Sequence, residues 1–133
     1  MTDLFTIESK VYTRLKNNVS ETFISKYPSY TVTTSDKRPA KMTYPYVYVH
    51  EMTGIERGST LENDTLAALN VTIQVEVYSD KSQTVTSDTM KEIVRIMKSM
   101  RFSVSAFPEN LNTDSLYRKV ARFERLIGDG DTL

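Results

Sequence analysis

The chain contains no cysteine and a single histidine, His50. Without cysteine there is no disulfide framework and no thiolate metal site, and with one imidazole a zinc centre lacks ligands. Four glycines are scattered through 133 residues, none in a Walker or dinucleotide-binding pattern. Charge of one sign is also missing: 17 Lys and Arg balance 17 Asp and Glu. That balance removes the electrostatic term behind most non-specific nucleic-acid affinity, and it argues against an anionic membrane surface as partner. No apolar run approaches the ~18 residues needed to span a bilayer. The opening MTDLFTIESK lacks the basic and apolar regions of a signal peptide, so synthesis in a cytoplasm is expected. A neutral chain repels itself weakly and is compatible with close self-association.

What is present is led by Ala68–Ser79, ALNVTIQVEVYS. Leu69, Val71, Ile73, Val75 and Val77 alternate with Asn70, Thr72, Gln74, Glu76 and Tyr78. Alternation at period two sends the two sets to opposite faces of a strand. Burying the five apolar side chains is worth roughly 10 kcal/mol gross, at about 1.5–3 kcal/mol each. A strand covered on both sides would read as a continuous apolar run instead. The expectation is an α+β, two-layer domain: an antiparallel or mixed four-stranded sheet, two helices on one face, and an open polar second face.

Before that strand, Leu4, Ile7, Val11, Leu15, Val19 and Phe23 recur every three or four residues and predict one helix from Asp3 to about Ser25, capped by Thr2 or Asp3. Such a helix would be about 33 Å long. Tyr30–Thr34 reads as a short strand and Ser35–Thr43 as a basic loop. Tyr44–Met52, YPYVYVHEM, is a second strong strand with Pro45 at its start, Val47 and Val49 on one face, and Tyr46, Tyr48 and His50 on the other. Thr53–Ala67 is polar and too long for a tight turn. It reads as a protruding loop, a binding arm that orders against a partner.

Downstream, Asp80–Ser87 is a polar linker, and Thr86 to about Met100 is a helix with the stripe Met90, Ile93, Val94, Met97 and Met100. Arg101–Val104 reads as a short strand and Ser105–Asp114 as a loop containing Pro108. Ser115–Ile127, SLYRKVARFERLI, is open on residues alone. Leu116, Val120, Phe123 and Ile127 fit a helical face, to which periodicity leans. As a strand, Tyr117, Lys119, Ala121, Phe123, Arg125 and Ile127 share one face, with Arg118, Val120, Arg122 and Glu124 opposite. Residues 128–133, GDGDTL, read as a flexible acidic tail.

Reactive chemistry finds little support. No serine or cysteine nucleophile motif surrounds His50, which reads as a strand histidine on a polar or partner-facing surface. Asp129-Gly130-Asp131 is a fragment of a calcium loop without the other oxygen ligands. Glu51 and Glu76 on adjacent strands would be the only arrangement resembling an acid–base pair, and exposed strand glutamates are far commoner. Tyr46 and Tyr48 could stack bases, as aromatic sheet faces do in small RNA-binding modules, but neutral charge favours packing or a protein interface. Arg118, Lys119, Arg122 and Arg125 are the densest basic cluster. They form either a solvated face with local ion pairs such as Glu124, or an inter-subunit charge pair with the acidic loop residues Glu56, Glu62 and Asp64, where Arg57 also lies.

The ordered set resembles a known family. It comprises an amphipathic helix, YPYVYVHEM, a polar loop, VTIQVEVYSD, the helix TMKEIVRIMKSM and YRKVARFERLIGD, over about residues 4–128. It is similar to the tail terminator, or tail completion, proteins of long-tailed bacteriophages and phage-tail-like particles. The stretch Tyr117-Arg118 to Arg122-Phe123 is its most characteristic piece, and there the resemblance implies a closing strand. It further implies a structural virion protein, not an enzyme, without cofactor or metal. Such a protein forms a ring, typically hexameric, on the last ring of the tail tube. Its partners would be other copies of itself, the tail tube protein and a neck or head-completion protein. DNA would meet it only in passage through the lumen, and the particle would assemble in a bacterial host cytoplasm. A head-completion or neck adaptor ring of the same particles is the alternative. On this reading Tyr46, Tyr48, His50, Gln74, Glu76 and the basic cluster belong to subunit or partner interfaces, and charge reversal at Arg118 or Arg122 disrupts the ring.

Overall fold

The structure, a computed structural model, describes residues 6–37, 39–57, 68–128, 131 and 133. Elements follow in the order α1 (Ile7–Asn17), α2 (Glu21–Lys26), β1 (Thr31–Thr33), β2 (Tyr46–Arg57), β3 (Ala68–Ser79), α3 (Gln83–Ser99), β4 (Ser103–Asn110) and β5 (Tyr117–Gly128). The strands form one sheet in the order β1-β2-β3-β5-β4. β1 runs parallel to β2, and the other pairs are antiparallel. The α+β class and mixed sheet agree with the sequence; the sheet has five strands rather than four.

β3 sits in the middle, as its alternation requires. Val71, Ile73, Val75 and Val77 are fully buried beneath the helices. They meet Val47 and Val49 from β2 and Ala121, Phe123 and Ile127 from β5, and α1 adds Ile7, Val11 and Leu15. From α3 come Met90, Ile93, Ile96, Met97 and, just past its end, Met100.

The first helix is two, not one. Its apolar stripe is as read, with Ile7, Val11 and Leu15 fully buried and Phe23 nearly so. The chain breaks at Asn18-Val19-Ser20, residues that favour caps or extended backbone over helix interiors. Ser20 accepts from the Phe23 amide (3.2 Å) as N-cap of α2, while its own amide (2.9 Å) and hydroxyl (2.8 Å) donate to Glu92 on α3. Arg95 Nη2 donates to the Asn18 carbonyl at 2.9 Å. A tertiary anchor therefore outweighs helix continuity. The expected caps Thr2 and Asp3 lie outside the described residues, and Thr6 is the N-cap of α1.

Three further expectations are corrected. β2 continues to Arg57, with one extra residue between Met52 and Ile55, so residues 53–57 are strand, not loop. The remainder of the expected arm, 58–67, lies outside the described residues. β4 runs to Asn110 through Pro108, which a sheet-edge strand tolerates, with register shifts after Val104 and Ala106. The expected tail at 128–133 begins one residue later, since Gly128 ends β5, and where it is described it makes contacts: Gly128 donates to Asp131 Oδ2 (2.7 Å), and Arg14 Nη2 donates to the Leu133 carbonyl (3.0 Å).

α3 starts at Gln83, one turn earlier than read, because Thr86 and Thr89 turn their hydroxyls onto the Gln83 and Val85 carbonyls (both 2.8 Å) instead of capping. Its C-terminus is a Schellman turn. The Phe102 amide donates to the Met97 carbonyl (3.1 Å) and the Arg101 amide to Lys98 (2.9 Å), with Arg101 at φ 64°.

Candidate functional site: the second face of the sheet

β5 is a strand, not a helix, with the period-two alternation of the strand reading. Ala121, Phe123, Arg125 and Ile127 are buried while Arg122 and Leu126 are exposed. The register sets Tyr46, Tyr48 and His50 beside Tyr78, Glu76 and Gln74, and these beside Arg118, Val120 and Arg122. This is the face turned away from the helices.

It is less open than its composition predicts. Tyr46 (4 % exposed), Tyr78 (5 %) and Glu76 (6 %) are buried. Glu76 is the hub. Its Oε1 accepts from Arg118 through Nε (2.9 Å) and Nη2, and from the Tyr78 hydroxyl (2.8 Å). Its Oε2 accepts from Gln74 Nε2 at 3.1 Å, with His50 Nε2 3.8 Å away. Gln74 Oε1 in turn accepts from Arg122 Nε at 2.9 Å. Burial works against the Glu76 charge, but the donors from Arg118, Tyr78 and Gln74 outweigh it and hold the carboxyl below its ordinary range. The guanidinium of Arg118 also lies 5.9 Å from the Tyr78 ring centre. His50 stacks on Tyr48, with centroids 4.9 Å apart and ring planes within 13°.

Several expected site residues do not belong together. The basic cluster divides between two faces. Arg118 and Arg122 lie on the second face, whereas Arg125 is buried on the helix side, where Nη1 donates to the Met100 carbonyl (2.9 Å) at the end of α3. A guanidinium there complements the helix dipole, so Arg125 is withdrawn from any partner surface. Lys119, also on the helix side, reaches Asn110 Oδ1 (3.0 Å) and Ser87 Oγ (3.3 Å). Arg118 is committed within the subunit, not to an acidic arm. Glu56 and Arg57 pair by backbone with Leu69 and Ala68; their side chains, and Glu62 and Asp64 entirely, lie outside the described residues. Glu51 and Glu76 are on opposite faces, and Glu51 pairs with Ile73, so they form no carboxylate pair. Tyr46 is too buried to stack on a base.

The sequence reading missed the edge. Phe107 on β4 is 83 % exposed, and Leu111 just beyond is 41 % exposed. Phe107 stands between two concavities. One, of about 350 Å³, opens on the second face among Gln74, Leu111, Arg118 and Arg122. The other, of about 440 Å³, opens toward α3 among Met90, Val94, Pro108 and two lysines, Lys91 and Lys119. The available signal was an aromatic inside a polar, proline-containing segment, where no core contact explains it.

Among the described residues no group of three or more His, Asp or Glu is placed to hold a metal ion, and no helix is long and apolar enough to cross a membrane. Neither a scan against protein-family models nor a search of curated proteins finds a match to this chain.

Proposed function

We propose that this chain is a structural subunit: a ring-forming tail terminator of a long-tailed bacteriophage or tail-like particle. It caps the tail tube, stops its growth and joins it to the neck or head. The observation that carries the reading is the β4 edge. An outermost strand offers unpaired backbone groups, and this one adds an aromatic that is 83 % exposed, with a concavity on either side. Isolated subunits leave such a knob in water; a neighbouring copy covers it. The β4 edge and the β1 edge differ in length and pairing, so a contact from one to the other is heterologous, the kind that gives a ring where the rotation closes. The area suffices. Two standard contacts take about 1,600 Å² from each subunit, roughly a fifth of its 7791 Å².

Capping follows from two unlike surfaces. One side of the ring complements the last ring of the tube, and the other offers no template for another tube ring. The order of elements, from leading helix to the Tyr-Arg…Arg-Phe strand, supports this assignment alongside the edge. Negative-stain imaging and native mass spectrometry of the pure protein test it, with six-fold rings expected. Sedimentation with purified tail tube, against portal-bearing heads, separates the terminator from the neck adaptor. A protein that stays monomeric and binds neither overturns the proposal.

A further inference from the structure

We propose that the cleft between Asp36 and the tyrosines of β2 and β3 is a binding site for a cationic head group, a guanidinium or an ammonium. This inference stands apart from the ring reading. The cleft holds about 110 Å³ and is lined by Ser35, Asp36, Tyr46, Tyr48, Glu76 and Tyr78. That is well below the ~300 Å³ at which sites for drug-sized ligands begin, so it admits a head group, not a base or a cofactor.

Its walls suit a cation. The rings of Tyr46 and Tyr78 are 6.3 Å apart and inclined at 59°, and Tyr48 closes a third side. Aromatic faces attract cations through the ring quadrupole, more strongly where water is excluded. The carboxylate of Glu76 lies among these rings and is buried, with the residue 6 % exposed. A carboxylate offers about four lone-pair positions. Oε1 is taken by Arg118 and Tyr78, whereas Oε2 accepts one hydrogen bond, from Gln74, with His50 Nε2 beyond hydrogen-bond range at 3.8 Å.

The local charge agrees. Burial and the carboxylates of Asp36, Glu76 and Glu8 all act against ionisation of the Tyr48 hydroxyl. Two of these carboxylates, Asp36 and Glu76, line the cleft itself. Lys37 is exposed and does not line the cleft. The subunit already shows the chemistry on the neighbouring side, where Arg118 both bonds Glu76 and lies over Tyr78. The cleft repeats those partners for an external cation, presented either on a partner protein's Arg or Lys or as a small free amine.

The test is an NMR titration of the full chain with ethylguanidinium, with a blocked Gly-Arg-Gly peptide, and with neutral ethylurea. Saturable shifts of the Tyr46, Tyr48 and Tyr78 ring signals are expected with the two cations and not with ethylurea. Tighter binding of the peptide assigns the cation to a partner side chain; equal binding assigns it to a free cation. Asp36→Asn, at an exposed position, weakens binding by up to about five-fold, as expected for a partly solvated charge. Tyr48→Phe keeps it and Tyr48→Leu abolishes it. Shifts of equal size with ethylurea, or none with either cation, overturn the proposal.

Discussion

Phe107→Ser separates assembly from folding. In the free subunit the ring is 83 % exposed, so its loss removes little packing, and surface changes of this kind stay within about 0.5 kcal/mol. In a contact the same ring is worth far more. An aromatic side chain takes about 150–250 Å² out of water, which at ~25 cal/mol per Å² is about 4–6 kcal/mol gross. Ordering of the contact offsets part of that, and truncated interface anchors measure about 2–4 kcal/mol. At 1.4 kcal/mol per decade the contact weakens about 30- to 700-fold. Native mass spectrometry and size-exclusion chromatography over a concentration series read the association, and thermal unfolding at low concentration reads the subunit. The variant is expected to unfold with the wild type and to assemble only at much higher concentration. Wild-type assembly would refute the role given to the edge. A fall of several degrees in the monomer's Tm would refute the claim that Phe107 contributes nothing to the fold.

Other outcomes follow from the polar contacts. Arg118→Met leaves the buried Glu76 carboxylate without its guanidinium and destabilises by about 2–3 kcal/mol; a double-mutant cycle with Glu76→Gln measures the coupling by urea unfolding. Arg118→Glu, which sets two carboxylates together, therefore probes folding, whereas Arg122→Glu at the exposed position probes assembly without moving Tm by more than a degree or two. Glu76 and Glu92 are held below their ordinary value of 4.5 although burial opposes it, the first by Arg118, Tyr78 and Gln74, the second by Arg95 and Ser20. An unfolded chain binds their protons first, so the stability they add is full above pH 4.5 and is lost as pH falls through the folded values; denaturant midpoints from pH 6 to pH 3 check this. Glu51 has the opposite sign, raised by burial and by Glu8, so Glu51→Gln raises Tm at pH 7 and the gain shrinks on acidification.

What the sequence carried, and what it did not, divides by the range of the interaction. β3 was legible because five apolar residues at period two have one solution, and its neighbours β2 and β5 inherit their faces from it. β5 was not legible from period alone. Leu116, Val120, Phe123 and Ile127 mimic a helix, while the buried Arg125 on the core face removes the alternation that would signal a strand. That arginine is buried because the end of α3, 25 residues earlier, supplies the Met100 carbonyl, and no local pattern contains that carbonyl. The break between α1 and α2 is the same kind of event, since Ser20 leaves the helix to meet a carboxylate 72 residues away. β4 was hidden by Pro108, which only an edge position permits.

The second face follows the same logic and bears on function. Composition marked Tyr46, Tyr48, Gln74, Glu76, Arg118 and Arg122 as polar and hence as available to partners. The register instead pairs most of them with one another, so that Arg118 is spent on Glu76 inside the subunit and Arg125 is buried under it. Polar residues are poor witnesses to an interface when a sheet can satisfy them internally. An exposed aromatic has no such alternative: among the described residues no neighbour covers Phe107, and water is its costliest surrounding. The surface best suited to another copy of the chain is therefore the hydrophobic knob at the edge of the sheet, not the charged cluster at its centre.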